Sequence, residues 1–208
     1  MFPLWCVFII IITYTILPFV YFICRKNNFK LIDFYICSLI LIILVIGGYQ
    51  IYFFPQKCHI NNENIYTIPE IFIDKFIPKK TWFIYIYNFL YYIGFGILLI
   101  YIKSYKEFIN ICFYAILLLL SLVSFFMIFP SKLHNNTRDI NESNIFLKLT
   151  QHLDNTTNAF PSAHVAISVF IAIILNKYIG IIAYLFPILI FISCLFTKQH
   201  LFIDCIGG

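Results

Sequence analysis

Apolar residues run in long blocks along this chain, roughly at 4–24, 31–54, 82–102, 108–130, 159–175 and 178–197, and a further block begins near His200. Each is about as long as the helix needed to cross a hydrocarbon slab ~30 Å thick. The alternation of polar and apolar positions that marks a membrane barrel is absent from them. Lipid offers no partner to unpaired backbone groups, so helix is the conformation expected. The pattern predicts an all-α, polytopic transmembrane helical bundle of six spans plus the start of a further one. Pro18 and the Gly47-Gly48 pair fall inside blocks, where neighbouring helices tolerate kinks and close approach. The first block has no basic leader and ends at Cys24, ahead of Arg25 and Lys26, so it reads as a span and not as a cleaved signal.

Composition supports the same solvent. Of 208 residues, 62% are apolar and 11% charged, and the mean hydropathy is +0.92. A soluble domain of this size needs far more charge to cover its surface. The seven cysteines form no CxxC pair, and all but Cys58 lie in or beside apolar blocks. They read as small apolar fillers, with no metal or disulfide framework implied.

Charge also orients the chain. One set of short loops carries Arg25, Lys26, Lys30, Lys103, Lys106 and Lys177 with little acid. The other side holds the long loops 55–81 and 131–158 and the turn at Lys198, whose bases are diluted among acids. Positive charge in short loops marks the cytoplasmic side, so the long loops are expected outside or in a lumen. Three tripeptides there match the glycosylation acceptor pattern, at Asn135, Asn141 and Asn155. In an Asn-rich chain such matches carry little weight.

Ionisable residues at the edge of a span are functional candidates by default. Asn158-Ala159-Phe160-Pro161-Ser162-Ala163-His164 opens the fifth block. Pro161 suits the first turn of a helix. The N–H groups of Ser162, Ala163 and His164 would then form an anion-binding helix start, with the Ser162 hydroxyl as a further donor. His200 and Asp204 lie four apart and would share a helix face. A carboxylate so placed holds one imidazole nitrogen and raises the nucleophilicity of the other. Lys132 and Arg138, just beyond Pro130, supply the fixed positive charge that phosphate requires. All three clusters fall on the same predicted side of the membrane. His59, His134 and His152 lie in polar loops without ligand spacing and read as ordinary surface residues.

In these residues the chain resembles the type 2 phosphatidic acid phosphatase superfamily, which includes the vanadium haloperoxidases. Its motifs are K-x6-R-P, then P-S-G-H, then S-R-x5-H-x3-D. Here the second is Pro161-Ser162-Ala163-His164 and the third ends in His200 and Asp204. The resemblance covers roughly 74–208, leaving 1–73 as N-terminal transmembrane helices and loop. Ile77-Pro78, Trp82-Phe83-Ile84-Tyr85, Asn158–Ser162 and Lys198-Gln199-His200 are similar to the branch containing inositol phosphorylceramide synthases. The chain departs from the pattern in four places. Lys132 and Arg138 are one residue closer than the first motif asks, and Asp139 stands for its proline. Ala163 replaces glycine, and Cys194 stands where the phosphatases have arginine, a charge that Lys198 would replace in part.

The resemblance implies a metal-free, cofactor-free enzyme with two chemical steps. His200 attacks phosphorus to give a phosphohistidine, Asp204 orients it, and His164 protonates the leaving oxygen. Ser162, the Ala163 N–H, Lys132, Arg138 and Lys198 bind the phosphoryl oxygens. The first reading is a lipid-phosphate phosphatase in a plasma, inner or endomembrane, with its site on the extracytoplasmic or lumenal side. The alternatives are a phospho-headgroup transferase and a membrane protein with a decayed site. The partners expected are a lipid phosphate and membrane lipid, with no nucleic acid; the oligomeric state is left open. The chain stops at Gly208, eight residues after His200. That is too few for a seventh span, so a C-terminally incomplete catalytic region is expected.

Overall fold

The computed structural model describes residues 11–12, 14–16, 30–59, 61–62, 64–134, 143–154 and 157–208. The first expected span, 4–24, therefore lies mostly outside the described residues. The first long helix, α1, is Leu31–Tyr52, and the short α2, Phe54–Cys58, continues it after a single turn residue. At its start the Asp33 carboxylate accepts the Lys30 N–H at 3.0 Å, satisfying one of the donors that a helix start leaves open. A short strand β1 (Tyr66–Ile68) and α3 (Phe72–Phe76) precede α4 (Ile84–Tyr101), which is entered through a 3-10 turn at Thr81–Phe83. Then come α5 (Tyr105–Ile128), β2 (Ser131–Leu133) and α6 (Ile145–Leu153). Ser104 caps α5 by accepting the Glu107 N–H at 3.2 Å, and Asn144 caps α6 by accepting the Phe146 and Leu147 N–H groups. The chain closes with α7 (Ala163–Ile179), a 3-10 turn at Gly180–Tyr184, α8 (Leu185–Phe196) and α9 (Phe202–Gly207).

Four stretches among the described residues are long and apolar enough to cross a membrane: Ile32–Cys58, Thr81–Tyr101, Tyr105–Ile128 and Ala163–Phe196. The expected six spans are not confirmed: the first, 4–24, lies mostly outside the described residues, and the fifth and sixth are counted together. The fifth and sixth blocks form one apolar stretch broken at Gly180, whose φ of 66° ends α7. Twelve-residue α8 is only about 18 Å long, short of the ~30 Å hydrocarbon slab. The stretch nevertheless doubles back. His164 and His200 are 36 residues apart. An unbroken helix would separate them by about 54 Å, yet their ring centroids lie 5.9 Å apart. The arms α7 and α8 pack against each other and both pack on α4. After His200 the described residues show the six-residue α9.

The core divides accordingly. One cluster, with Phe34, Tyr92, Leu98, Phe108 and Ile171, sits between α1, α4, α5 and α7. A second, with Ile84, Tyr87, Leu147, Val165 and Ile190, lies beside the polar end of the hairpin. The outer face of α5, with Ile109, Phe113, Leu117 and Leu120 exposed, suits lipid and not water.

No strand was expected, but the two long loops are joined by one. β1 and β2 pair in parallel, Tyr66 opposite Ser131 and Ile68 opposite Leu133, and Asn158 bridges to Ser131 on the other side. The Lys80 N–H donates to the Phe196 C=O at 2.8 Å. Both long loops and the turn after α8 thus converge on one face of the bundle.

Candidate active site

His200 sits in a tight turn that folds back over the end of α8. The Thr197 hydroxyl donates to the Ser193 C=O at 2.6 Å, Lys198 adopts φ 55°, and the N–H groups of Gln199 and His200 both reach the Cys194 C=O. The ring is 5% exposed. Its Nδ1 lies 3.1 Å from the Ala159 C=O and 3.6 Å from the Asp204 carboxylate. A carbonyl only accepts, so Nδ1 carries the proton and donates it there. Nε2 is left with the lone pair. At 3.6 Å Asp204 acts on the ring by charge and not as a formed hydrogen bond. Burial alone would lower the imidazole pKa; the neighbouring Asp204 carboxylate foremost outweighs it, and the pKa is held above its ordinary value.

Asp204 is fully buried in the first turn of α9, where its Oδ2 accepts the Leu201 N–H at 2.8 Å. The other oxygen, Oδ1, has no hydrogen-bond partner among the described residues. His200 and Asp204 were expected on one face of a helix. His200 in fact precedes α9, and the four-residue spacing is met by a turn followed by a helix start.

The second motif also differs in detail. Pro161 does not occupy the first turn; it precedes Ser162, which is the N-cap of α7 with its hydroxyl 3.5 Å from the Val165 N–H. The Ser162 N–H is not available to an anion, because it donates to the Asp204 C=O at 2.9 Å. A capping residue's own N–H lies outside the helix and seeks a partner elsewhere. The Ala163 N–H remains at the helix start. That same bond stitches the start of α7 to α9 and so fixes the second motif against the third. His164 stacks on Tyr87 with ring centroids 4.1 Å apart and 27° between planes.

The basic residues are dispersed. Lys198 donates its ammonium to the Asp74 C=O at 2.8 Å, which leaves two of its three N–H donors. Lys132 is the central residue of β2. Ser131 and Leu133 face the 158–160 segment, so strand alternation turns Lys132 to the opposite face. Arg138 lies outside the described residues. Cys194, in the position expected to be arginine in the phosphatases, is a buried thiol beside Cys205 and Ser162. Among the described residues no group of three or more His, Cys, Asp or Glu side chains is placed to hold a metal.

Several residues at the site were not anticipated. Buried Asp74 accepts the Phe202 N–H at 2.8 Å and the Ile71 N–H at 3.0 Å, anchoring the start of α9. Asp154, at the end of α6, accepts the Gln56 amide at 2.6 Å and lies near enough for its charge to act on both imidazoles. Ser131 bonds both backbone groups of Phe160, and the Asn158 amide donates to the Tyr52 C=O. An acid three residues into α3 was the one visible signal, for Asp74. The others are joined by contacts far apart in sequence.

Comparison with known protein families gives a match over much of the same region. The family described as the PAP2 superfamily matches residues 49–208, three quarters of the chain. No curated protein and no solved structure matches it. On the extent of that match, which takes in both histidines, Asp204 and the loops that hold them, the chain belongs to the PAP2 superfamily.

Proposed function

We propose that this protein is a membrane-embedded phosphatase of lipid phosphates that works through a phosphohistidine on His200. The observation that carries the reading is the pair of imidazoles 5.9 Å apart, one of them fixed through Nδ1 by a backbone carbonyl. Nε2 of His200 is then the nucleophile, and Asp204 stabilises the positive charge the ring acquires. It attacks phosphorus while the bond to the lipid oxygen breaks, and His164 gives that oxygen its proton. Water, deprotonated by His164, next attacks the phosphohistidine and releases inorganic phosphate and free His200. The Ala163 N–H, the Ser162 hydroxyl and the spare donors of Lys198 oppose the charge on the phosphoryl oxygens in this reading; Lys132, turned to the other face of its strand, takes no part in it. The substrate is a membrane lipid approached on the extracytoplasmic or lumenal side.

Cys194 favours a second reading, an inositol phosphorylceramide synthase-like transferase. A thiol pair in place of a guanidinium leaves one fewer cation for a free phosphate dianion, which suits transfer of a phospho-headgroup to an alcohol.

The test uses the chain in membranes, offered labelled phosphatidic acid, isoprenyl diphosphate, or ceramide with phosphatidylinositol. Turnover and an acid-labile labelled protein are expected, both lost on His200→Ala by a factor of about 10³ or more. Transfer to ceramide without phosphate release selects the second reading. No turnover of any substrate overturns both, and turnover that survives His200→Ala removes the histidine from the mechanism.

A further inference from the structure

A cavity of about 500 Å³ lies between α1, α4, α5 and α7 and opens on the candidate site. The ionisable and amide side chains of its lining, a thiol and tyrosines apart, are gathered at one end. There the walls carry His164, Asp154, Asn88 and Thr150, and the last two are already joined by a 3.0 Å hydrogen bond. Beyond them the lining is almost wholly apolar and continues to Ile102 and Phe108 at the far ends of α4 and α5. From Tyr87 to Ile102 along α4 the helical rise gives a length of about 22 Å, much of the ~30 Å width of a bilayer core. Water does not fill such a space, because it finds too few polar partners. Empty, the space forfeits packing contacts along its whole length.

The dimensions and the single polar mouth fit one kind of occupant. We infer that this cavity receives the hydrocarbon tail of the lipid whose phosphate reaches His164, and that Gly47 and Ala115 on its facing walls set which tails are accepted. This rests on the lipid-phosphate reading of the site. A Cβ built on Gly47 meets nothing within 4 Å, so that stretch of α1 borders open space. Gly48 is already tight, its Cβ position lying 3.3 Å from the Leu119 side chain. Ala115 lines the same cavity from α5. A larger side chain at Gly47 or Ala115 projects into the space that a long tail would take and leaves the mouth at His164 unchanged.

The experiment compares two phosphatidic acids with the same headgroup, one with six-carbon and one with eighteen-carbon chains. Wild type, Gly47→Leu and Ala115→Leu are assayed in the same membranes. The ratio of long-chain to short-chain kcat/KM is expected to fall about tenfold or more in both variants, and the short-chain rate reports that the protein is folded. An unchanged ratio in both variants overturns the inference. A second readout does not need turnover. Long-chain phosphatidic acid carrying a photoactivatable diazirine in its tail is expected to label α1 and α5 walls around Gly47 and Ala115, in wild type and in His200→Ala, with labelling lost in Gly47→Leu. Labelling without turnover removes the phosphatase reading and keeps the tail site. Labelling confined to the outer face of α5, around Phe113 and Leu120, or labelling excluded because another segment of this chain fills the space, overturns the tail site.

Discussion

His200 has one nitrogen committed to the Ala159 carbonyl, and in the proposed reaction its protonation state decides whether the other can attack phosphorus. The unfolded reference is about 6.5, and in the folded protein the pKa is raised. The folded state therefore binds the proton more tightly. The resulting stabilisation is fully present below the reference value and is lost as pH rises through the raised value. Nucleophilicity has the opposite sign, because only the unprotonated Nε2 attacks. The acid limb of kcat/KM is therefore expected above the ordinary histidine value. Asp204→Asn removes the charge 3.6 Å from Nδ1; it should move that limb to lower pH and cut kcat by about 10²-fold or more. A pH–rate profile of the variant checks both, and an unmoved limb would show that Asp204 does not set the charge of His200. This pair was legible in the sequence, since two polar residues four apart stood out against apolar surroundings. Which atom fixes the ring was not, because Ala159 acts through its backbone and its side chain carries no signal.

Among the elements, the small sheet has the least visible origin and a direct hold on the site. Three-residue strands in polar loops have no alternation long enough to read. Their pairing follows from the need of loop backbone for partners once two loops meet on one face. Ser131 concentrates that role: its C=O accepts the Ala159 N–H at 3.1 Å, and its hydroxyl engages both backbone groups of Phe160. Ser131→Ala leaves those groups short of a partner and should cost about 1–3 kcal/mol. It should also lower kcat more than it raises KM, because Ala159 carries the carbonyl that aligns His200. A thermal midpoint in detergent, with steady-state kinetics on the same preparation, separates the two effects. The helix starts were easier to anticipate, and even there the structure moved the N-cap to Ser162 and spent its N–H on Asp204.

For the molecule as a whole, the decisive feature is the reversal at Gly180. The apolar blocks at 159–175 and 178–197 were legible as separate, because Asn176 and Lys177 interrupt them. Their lengths were not, since hydrophobicity runs past the point where α8 ends and the turn to His200 begins. Gly180 has φ 66° and ψ −155°, a region that only glycine occupies without strain. Gly180→Ala should destabilise the protein by about 1–3 kcal/mol, read as a lowered thermal midpoint. An unchanged midpoint would mean that the turn has another conformation within reach. At the same end Lys177 pairs with Glu107 at 2.8 Å and Tyr178 donates a short hydrogen bond to it, tying the reversal to α5.

The hairpin also imposes an order of events during synthesis. His164 leaves the ribosome well before His200, and the two meet only after the chain has run down one arm, turned at Gly180 and returned along the other. Until Asp204 has emerged and its carbonyl has taken the Ser162 N–H, the start of α7 has nothing to hold it against the third motif. The pairing of the two imidazoles is therefore a property of the completed hairpin and of no shorter piece of it.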